Sequence, residues 1–143
     1  MDEIIRYPGC FVCGDRNPHG LNARFFWDGA NACTEIVALE QFEGYKGIYH
    51  GGVMAALLDE VMVKAILATD RHAVTAEITV RYVRPVRTGV QLRFAGRVIG
   101  HKGRLYRTTA EAIDTDGTVY AQAEGKFLEG KAGLANDLKQ SLG

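Results

Sequence analysis

The sequence predicts an α+β domain in which an antiparallel sheet of five to six strands wraps around one long central helix. Residues 53–67 contain no glycine or proline and are apolar almost all round. Two β-prone segments precede this stretch, and four segments with alternating apolar and polar residues follow it. Since a single helix cannot cover both faces of such a sheet, the sheet has to curve around it.

The composition fits one domain that spans residues 1–143. A chain of this length can bury a proper core, and its 17 basic residues balance its 17 acidic residues. A net charge of zero gives no general attraction for nucleic acid or a membrane, so neither partner is expected. The first residues lack the basic start of a signal peptide, and three cysteines favour reduced thiols in the cytoplasm.

Residues 1–20 are predicted to form a loop, because prolines and glycines recur in them. Cys10 and Cys13 stand there in a Cys-x-x-Cys arrangement. A closed structural zinc site needs four ligands. Cys33 and His19 are the candidates for completing the set, and neither gives the usual second paired spacing. The loop is therefore expected to serve packing, with no metal and no cofactor.

The part of the chain before the helix is predicted to contain a β-hairpin. Residues 21–27 and 32–39 are β-prone runs separated by a short turn. An irregular, glycine-containing segment, residues 41–49, then leads to the helix. Tyr45 and Tyr49 in this segment are candidates for lining a ligand site, and the alternative is ordinary packing against the helix start.

The predicted helix begins at two glycines, Gly51 and Gly52, and ends near residue 68. The first backbone N–H groups of a helix have no partner inside it, and the macrodipole is positive there. Without side chains, Gly51 and Gly52 let a substrate oxygen approach those donors closely. Such a helix start suits a carbonyl that becomes an oxyanion. The alternative is that the two glycines only permit tight packing.

Three charged residues interrupt the apolar helix. Glu60 and Lys64 stand four residues apart in the favourable order, so they are predicted to form one exposed, paired strip. Asp59 has apolar neighbours on its own face and lies too far into the helix to be an N-cap. A carboxylate in such a place costs free energy unless it is paired or lies at a cleft. Asp59 is therefore the first candidate for chemistry, and an ion pair with an arginine from the sheet is the alternative.

Four strands are predicted after the helix, over residues 73–83, 90–99, 104–113 and 118–128. Their period of two and short turns indicate an antiparallel sheet with one buried face. Strict alternation in the first of them places Thr75 on the polar face, away from the helix. The polar tail, residues 129–143, has leucines at a spacing of four and is predicted to form a frayed helix.

The motif His50-Gly51-Gly52, followed after six residues by Asp59, resembles the helix start of hotdog-fold acyl-CoA thioesterases, in particular the phenylacetate-pathway (PaaI-like) branch. Residues 75–85 resemble the first long strand after the helix in that family. Residues 10–21 resemble the N-terminal loop of one of its subgroups. The resemblance covers most of the chain, from about Cys10 to Leu128.

This resemblance implies hydrolysis of an acyl-CoA thioester to a free acid and CoA at a subunit interface, in a homodimer or a dimer of dimers. The helix start of one subunit would face the acidic residue of the other. Gly51 would present its N–H to the carbonyl, and Asp59 would act as general base or as nucleophile. His50 would orient the site or merely contact the helix start. CoA enters as part of the substrate, and no cofactor is implied.

Thr75 and Gly44 stand at two further positions for which the resemblance gives an expected residue. Thr75 matches a position where relatives carry a serine that helps to hold the water. Gly44 departs from the pattern, because some relatives carry an asparagine six residues before the histidine. If that asparagine positions the nucleophile, its absence bears on activity or substrate range.

For the CoA end, the resemblance points to a further set of residues that contact the nucleotide or the pantetheine arm: Tyr82, Arg84, Lys102, Gly103 and Arg104. Phosphates are bound by basic side chains and free backbone N–H groups. Taken singly, each charged residue of this set can also be explained as a solvated strand-edge charge.

Three other functions compete with thioester hydrolysis. A non-catalytic acyl-CoA-binding module would keep the glycines and basic residues but would not need Asp59. A hotdog dehydratase uses a different pairing of histidine with an acidic residue, which this sequence lacks. A purely structural domain would not explain a carboxylate in the middle of a buried helix.

Overall fold

The computed structural model of the protein describes residues 1–142, in which one antiparallel sheet holds a long helix. The elements are β1 (Asp2–Glu3), β2 (Phe26–Trp27), β3 (Ala32–Val37), α1 (Gly51–Leu67), β4 (Ala73–Tyr82), β5 (Gln91–Lys102), β6 (Leu105–Asp114), β7 (Val119–Glu129) and α2 (Ala132–Gln140), with a short 3₁₀ turn at Glu40–Phe42. The strand order is β1-β2-β3-β5-β6-β7-β4, and every neighbouring pair is antiparallel.

The predicted architecture is confirmed, with a difference at its N-terminal edge. The sheet has seven strands instead of five to six, because Asp2–Glu3 pairs with β2. The predicted first strand is reduced to Phe26–Trp27, since the residues before it bond to the N-terminal loop. The N–H of Leu21 donates to the carbonyl of Phe11, and that of Ala23 donates to Val12.

Helix α1 is buried on most of its sides, as its apolar sequence predicts. Leu57, Leu58, Val61, Met62, Ala65 and Ile66 are each fully buried. Gly96 of β5 allows the sheet to come close, because a Cβ there would lie 2.8 Å from the backbone oxygen of Val61. Among residues 1–142 there is no helix long and apolar enough to cross a membrane.

The predicted exposed strip of Glu60 and Lys64 is wrong. Lys64 is fully buried, and its Nζ donates to the backbone carbonyl of Ile5. The same nitrogen lies 3.6 Å from Oε2 of Glu60 and 3.4 Å from Sγ of Cys13. The N-terminal loop crosses the helix here and supplies these partners from more than 50 residues away in the sequence. The spacing of residues within the helix cannot reveal that the N-terminal loop buries Lys64.

The predicted position of Thr75 on the polar face is also wrong, because β4 contains a bulge. The pairing of β4 with β7 shifts between Thr75 and Glu77, so Ala76 is left out of the register. Before the bulge, Thr75 lies opposite the fully buried Phe127 and so shares its helix-facing side. After the bulge, Ile78 takes up that side. One extra residue therefore moves Thr75 to the helix-facing side of the sheet.

Strand β4 forms one edge of the sheet, since its only strand partner among the described residues is β7. Most of its side chains are exposed, in contrast to those of β6 and β7. An edge of this length offers unpaired backbone groups to another strand. It is the edge that carries Thr75 at its beginning and Tyr82 at its end.

Candidate active site

The start of helix α1 is capped by the side chain of His50. This residue has an extended backbone, and its Nδ1 accepts a hydrogen bond of 2.8 Å from the N–H of Gly52. A neutral His50 therefore carries its proton on Nε2. The Gly52 N–H predicted to face substrate is already satisfied, whereas the N–H of Gly51 has no acceptor among residues 1–142.

Two glycines lie against the His50 ring. A Cβ on Gly52 would lie 3.0 Å from the ring, and a Cβ on Gly44 would lie 3.3 Å from its Cδ2. Both distances are shorter than ordinary van der Waals contact, so a side chain at either position would displace the imidazole by a few tenths of an ångström. The space beside Gly44 is therefore partly filled by the His50 ring.

Tyr82 holds the helix start against the end of β4. Its hydroxyl donates a hydrogen bond of 2.6 Å to the carbonyl oxygen of Gly51. A Cβ on Gly51 would lie 3.6 Å from the Tyr82 ring, which is an ordinary contact. The side chain of Tyr82, which is predicted to contact CoA, is therefore fixed to the first turn of α1 by this hydrogen bond.

A cavity of about 980 Å³ opens beside this helix start. We call it the helix-start cavity; its walls include Tyr45, Tyr49, His50, Gly51, Tyr82 and Arg84. Tyr49 is buried in the wall, and Tyr45 is 83% exposed at the rim. The guanidinium of Arg84 lies 5.9 Å from the centre of the Tyr120 ring, which keeps a positive charge at the same opening. A cavity of this size can admit part of a large ligand.

Asp59 pairs with Thr75 instead of an arginine. The Thr75 hydroxyl donates a hydrogen bond of 2.7 Å to Oδ1 of Asp59. Burial raises the pKa of Asp59 above its ordinary value, and the Thr75 hydrogen bond acts in the opposite direction. A carboxylate with a raised pKa that is held by one donor is suited to accept a proton or to attack a carbonyl carbon.

One chain does not bring Gly51 and Asp59 to the same point. They are eight residues apart on α1, which corresponds to about 12 Å along the helix axis. Asp59 and Thr75 are also not among the residues that line the helix-start cavity. A carbonyl bonded to the Gly51 N–H therefore cannot reach the Asp59 carboxylate of its own chain.

The predicted CoA-binding residues fall into two groups in one chain. Lys102 ends β5, and Gly103 and Arg104 form the turn to β6; we call these three residues the basic turn, and all three are exposed. This turn lies beside Leu128 of β7, whereas Tyr82 pairs with Ala121 of the same strand. Seven residues of β-strand separate the two places, or roughly 23 Å.

The Cys-x-x-Cys motif lies next to Glu60, a contact that the sequence does not predict. Potential ligand atoms of Cys10, Cys13 and Glu60 all lie within 4.8 Å of one another, so these three residues could hold a metal ion. Cys33, a predicted candidate for the set, instead has its Sγ 3.6 Å from the carbonyl oxygen of Phe26. In the sequence, Glu60 is already explained as the ion-pair partner of Lys64, four residues away, so nothing there points to the cysteines.

The sequence matches a protein-family model over its central part. Residues 46–121, more than half of the chain, match the model described as the thioesterase superfamily. The chain therefore belongs to this superfamily. No curated protein sequence matches the chain significantly.

Solved structures with the same architecture include a crystal structure described as a thioesterase superfamily protein. It has a TM-score of 0.79 and 26% identity, with coverage of 85% of this chain and 60% of that one. The E. coli PaaI protein from the phenylacetic acid degradation operon has a TM-score of 0.71 at 20% identity, covering 76% and 83%.

A hypothetical thioesterase from Streptococcus pneumoniae, solved with coenzyme A, also has a TM-score of 0.71, at 14% identity, covering 76% and 88%. Together with the family match, these similarities confirm the hotdog fold. This chain spans less than two thirds of the length of the first of the three proteins.

Proposed function

We propose that the protein hydrolyses acyl-CoA thioesters to free acid and CoA in a site formed by two copies of the chain. One observation carries the proposal. A buried helix begins with a Gly51 N–H that has no acceptor among residues 1–142, and it carries, eight residues on, a carboxylate of raised pKa held by Thr75. Membership of the thioesterase superfamily and the CoA-bound streptococcal structure support the same substrate class.

The distance between Gly51 and Asp59 in one chain supports a site at a subunit interface. Within residues 1–142, strand β4 is paired on one side only, and antiparallel pairing of two such edges about a two-fold axis would continue the sheet. In that arrangement the two α1 helices run in opposite directions. The helix start of one subunit then lies against later turns of its partner's helix, where the partner subunit's Asp59 is located.

Substrate binding would begin at the helix-start cavity. The thioester carbonyl would accept a hydrogen bond from the Gly51 N–H, at the positive end of the α1 dipole. The same two-fold arrangement would carry the partner's basic turn toward the opening where Arg84 lies. The negative phosphates of CoA are expected to bind this combined positive surface.

The reaction would use the carboxylate of Asp59 in one of two ways. As a general base, it would take a proton from the water that attacks the carbonyl carbon. As a nucleophile, it would form an anhydride that water then opens. In both cases the oxyanion forms at the Gly51 N–H, the C–S bond breaks, and the CoA thiolate leaves and takes up a proton. Thr75 would orient the carboxylate, and His50 would hold the first turn.

The direct test is thiol release from a panel of aryl and aliphatic acyl-CoAs by the wild-type protein and by Asp59→Asn. Loss of the carboxylate is expected to lower kcat at least about 100-fold, without loss of folding or acyl-CoA binding. Asp137→Asn, which changes an exposed carboxylate on α2, serves as the matched control and should keep full activity.

The same experiment tests the alternative function. If the wild-type protein binds acyl-CoA but releases no thiol, the protein is a binding module and the hydrolase proposal is wrong. Gly44→Asn would then be the first variant to assay, because some of the relatives that the chain resembles carry an asparagine at this position. If acyl-CoA is neither bound nor hydrolysed, both functions fail.

A further inference from the structure

Four side chains form a polar cluster under the N-terminal loop, on a different side of α1 from Asp59. We call Cys10, Cys13, Glu60 and Lys64 the dithiol cluster. Sγ of Cys10 lies 3.8 Å from Oε1 of Glu60, and Sγ of Cys13 lies 3.4 Å from Nζ of Lys64. The proposed thioesterase mechanism uses none of the four, so their association needs its own explanation.

The loop backbone places the two sulfur atoms next to each other. The N–H of Cys13 points at Sγ of Cys10 at 3.4 Å, and the N–H of Gly14 donates to the Cys10 carbonyl at 2.9 Å. Gly14 is required in this turn, because a Cβ there would lie 2.3 Å from the backbone oxygen of Pro8. The two sulfur atoms lie within 4.8 Å of each other, so side-chain rotation can bring them to bonding distance.

The two cysteines differ in access and in acidity. Cys13 is fully buried, whereas Cys10 is partly exposed. Hydrogen bonding from Cys13 lowers the pKa of Cys10 to about 6, and the same interaction raises the pKa of Cys13. An exposed sulfur with thiolate character beside a buried thiol is the division of roles found in reactive Cys-x-x-Cys pairs. Cys10 would be the attacking sulfur and Cys13 the resolving one.

The other titratable groups that face the two cysteines are Tyr7, Glu60 and Lys64. Burial raises the pKa of Glu60 to about 7, so its carboxylate, which lies beside the thiols, is a stronger proton acceptor than an ordinary glutamate. The Lys64 nitrogen lies 5.7 Å from the centre of the Tyr7 ring, and its charge favours a nearby thiolate. The cluster therefore contains both a group to take the proton of Cys13 and a cation to stabilise sulfur anions.

A cavity of about 510 Å³ gives access to Cys10 from solvent. Its walls include Tyr7, Gly9, Cys10, Glu60, Val63 and Leu67, so it is distinct from the helix-start cavity. Most of the lining is apolar, and the Cys10 side chain is one of its few reactive groups. A small molecule can thus reach Cys10 without entering the proposed thioesterase site.

The position of Lys64 favours thiol chemistry over metal binding. Its nitrogen lies within 4 Å of both Cys13 and Glu60, two of the three potential ligands, and a metal ion bound by them would lie close to this buried cation. A closed zinc site would also need a fourth ligand. A buried lysine beside two thiols and a carboxyl group favours formation of a thiolate over binding of a divalent ion.

We propose that Cys10 and Cys13 form a reversible dithiol–disulfide site that reacts with small-molecule disulfides. The Cys10 thiolate attacks one sulfur of the incoming disulfide, forms a mixed disulfide and expels the first thiolate, which takes a proton from water. Cys13 gives its proton to Glu60, and its sulfur attacks Cys10 and expels the second thiolate, which takes that proton from Glu60. The two cysteines lose two electrons, and the incoming disulfide gains them as two thiols.

The proposal is tested by incubating the folded protein with glutathione disulfide, unfolding it, alkylating the remaining thiols and measuring the mass. The wild-type protein is expected to lose two hydrogen atoms and to keep one alkylatable cysteine, Cys33, and dithiothreitol should restore all three thiols. Cys33→Ser is the matched control, which should still form the disulfide. Cys13→Ser should stop at a glutathione adduct on Cys10, and Cys10→Ser should form neither product.

A second measurement needs no variant. The alkylation rate of Cys10 in the wild-type protein should rise with a midpoint near pH 6. At about that pH, it should exceed the rate of a free cysteine peptide by about 10-fold, after allowing for the lower nucleophilicity of a more acidic thiol. Glu60→Gln and Lys64→Met should both change this profile, which a purely structural role would not predict.

Three results would overturn the proposal. One is a Cys10 that reacts no faster than the free peptide at this pH, and another is a Cys13→Ser variant that forms no glutathione adduct. The third is a purified protein with stoichiometric zinc that depends on Cys10, Cys13 and Glu60, because the cluster would then be a metal site. None of these results bears on thioester hydrolysis, so the two proposals fail separately.

Discussion

The hydroxyl of Thr75 donates a 2.7 Å hydrogen bond to Oδ1 of Asp59, joining the edge strand to the carboxylate of the central helix. The bond depends on the bulge at Ala76, which moves Thr75 to the helix-facing side of β4. Because the same strand edge would meet the second subunit, Thr75 is placed to orient the carboxylate at the point where two chains are expected to form one site.

Replacing Thr75 with valine removes the donor to Asp59 while keeping the β-branched shape. The hydrogen bond lowers the pKa of Asp59, so its loss should raise that pKa further. Since the mechanism needs the ionised carboxylate, the acidic limb of the kcat/KM profile should move to higher pH, and kcat should fall by about 10-fold or more. Thr75→Ser keeps the hydroxyl and should keep the wild-type profile. An equal shift in both variants would mean that the hydroxyl has no such role.

Gly51→Pro removes the backbone N–H of residue 51 but keeps the helix that begins there. Proline is tolerated at the first helical position, and the extended backbone of His50 suits the residue before a proline. The variant should fold with α1 intact and lose about 10²- to 10³-fold in kcat, because the N–H at the oxyanion is missing. Gly51→Ala keeps the donor and makes only ordinary contacts with Tyr82, so it should lose little. Equal activity of the two variants would remove Gly51 from the mechanism.

A mixture of Gly51→Pro and Asp59→Asn subunits tests whether the site is shared. If Gly51 of one chain works with the partner's Asp59, each mixed dimer contains one intact site and one doubly defective site. Random exchange of subunits should then restore about one quarter of the wild-type activity. If both groups came from the same chain, every site would lack one of them and the mixture would remain inactive.

His50→Ala removes the acceptor for the Gly52 N–H and should lower the free energy of unfolding by about 1 kcal/mol. His50→Asn supplies another capping oxygen and should recover most of that stability. The measurement is chemical denaturation alongside kcat and KM. If the asparagine variant also recovers activity, His50 acts only as a cap, whereas recovered stability without activity assigns a further role to Nε2.

The buried carboxyl of Glu60 should make stability depend on pH. Its pKa rises from 4.5 to about 7 on folding, so its contribution is complete below pH 4.5 and is lost as the pH rises through about 7. Over this window the free energy of unfolding should decrease by roughly 1–3 kcal/mol. Glu60→Gln still offers Lys64 an acceptor and should flatten the curve. An unchanged slope in that variant would assign the pH dependence to other groups.

The sequence was sufficient for the architecture but not for all of the contacts. The apolar helix and the period of the strands identified the sheet wrapped around α1, and the isolation of Asp59 among apolar residues singled it out. The bulge at Ala76 could not be seen, because alternation on either side of it is regular. The burial of Lys64 was hidden for a different reason, since its partners come from a distant loop.

The contacts of the candidate site could not be predicted fully from the sequence either. Residues of the basic turn were grouped with Tyr82 by resemblance, but the register places them at opposite ends of the sheet in one chain. Sequence spacing carries no information about a second subunit. The separation of the basic turn from Tyr82 and the distance between Gly51 and Asp59 both support the proposed second subunit.

Asp59 and Glu60 are consecutive residues of α1, and consecutive side chains of a helix point about 100° apart. One therefore faces the strand edge and the other faces the N-terminal loop, while the core around Leu58 and Met62 holds the backbone between them. Two adjacent residues of one helix therefore belong to two separate proposed sites, the thiol pair under the N-terminal loop and the carboxylate at the strand edge.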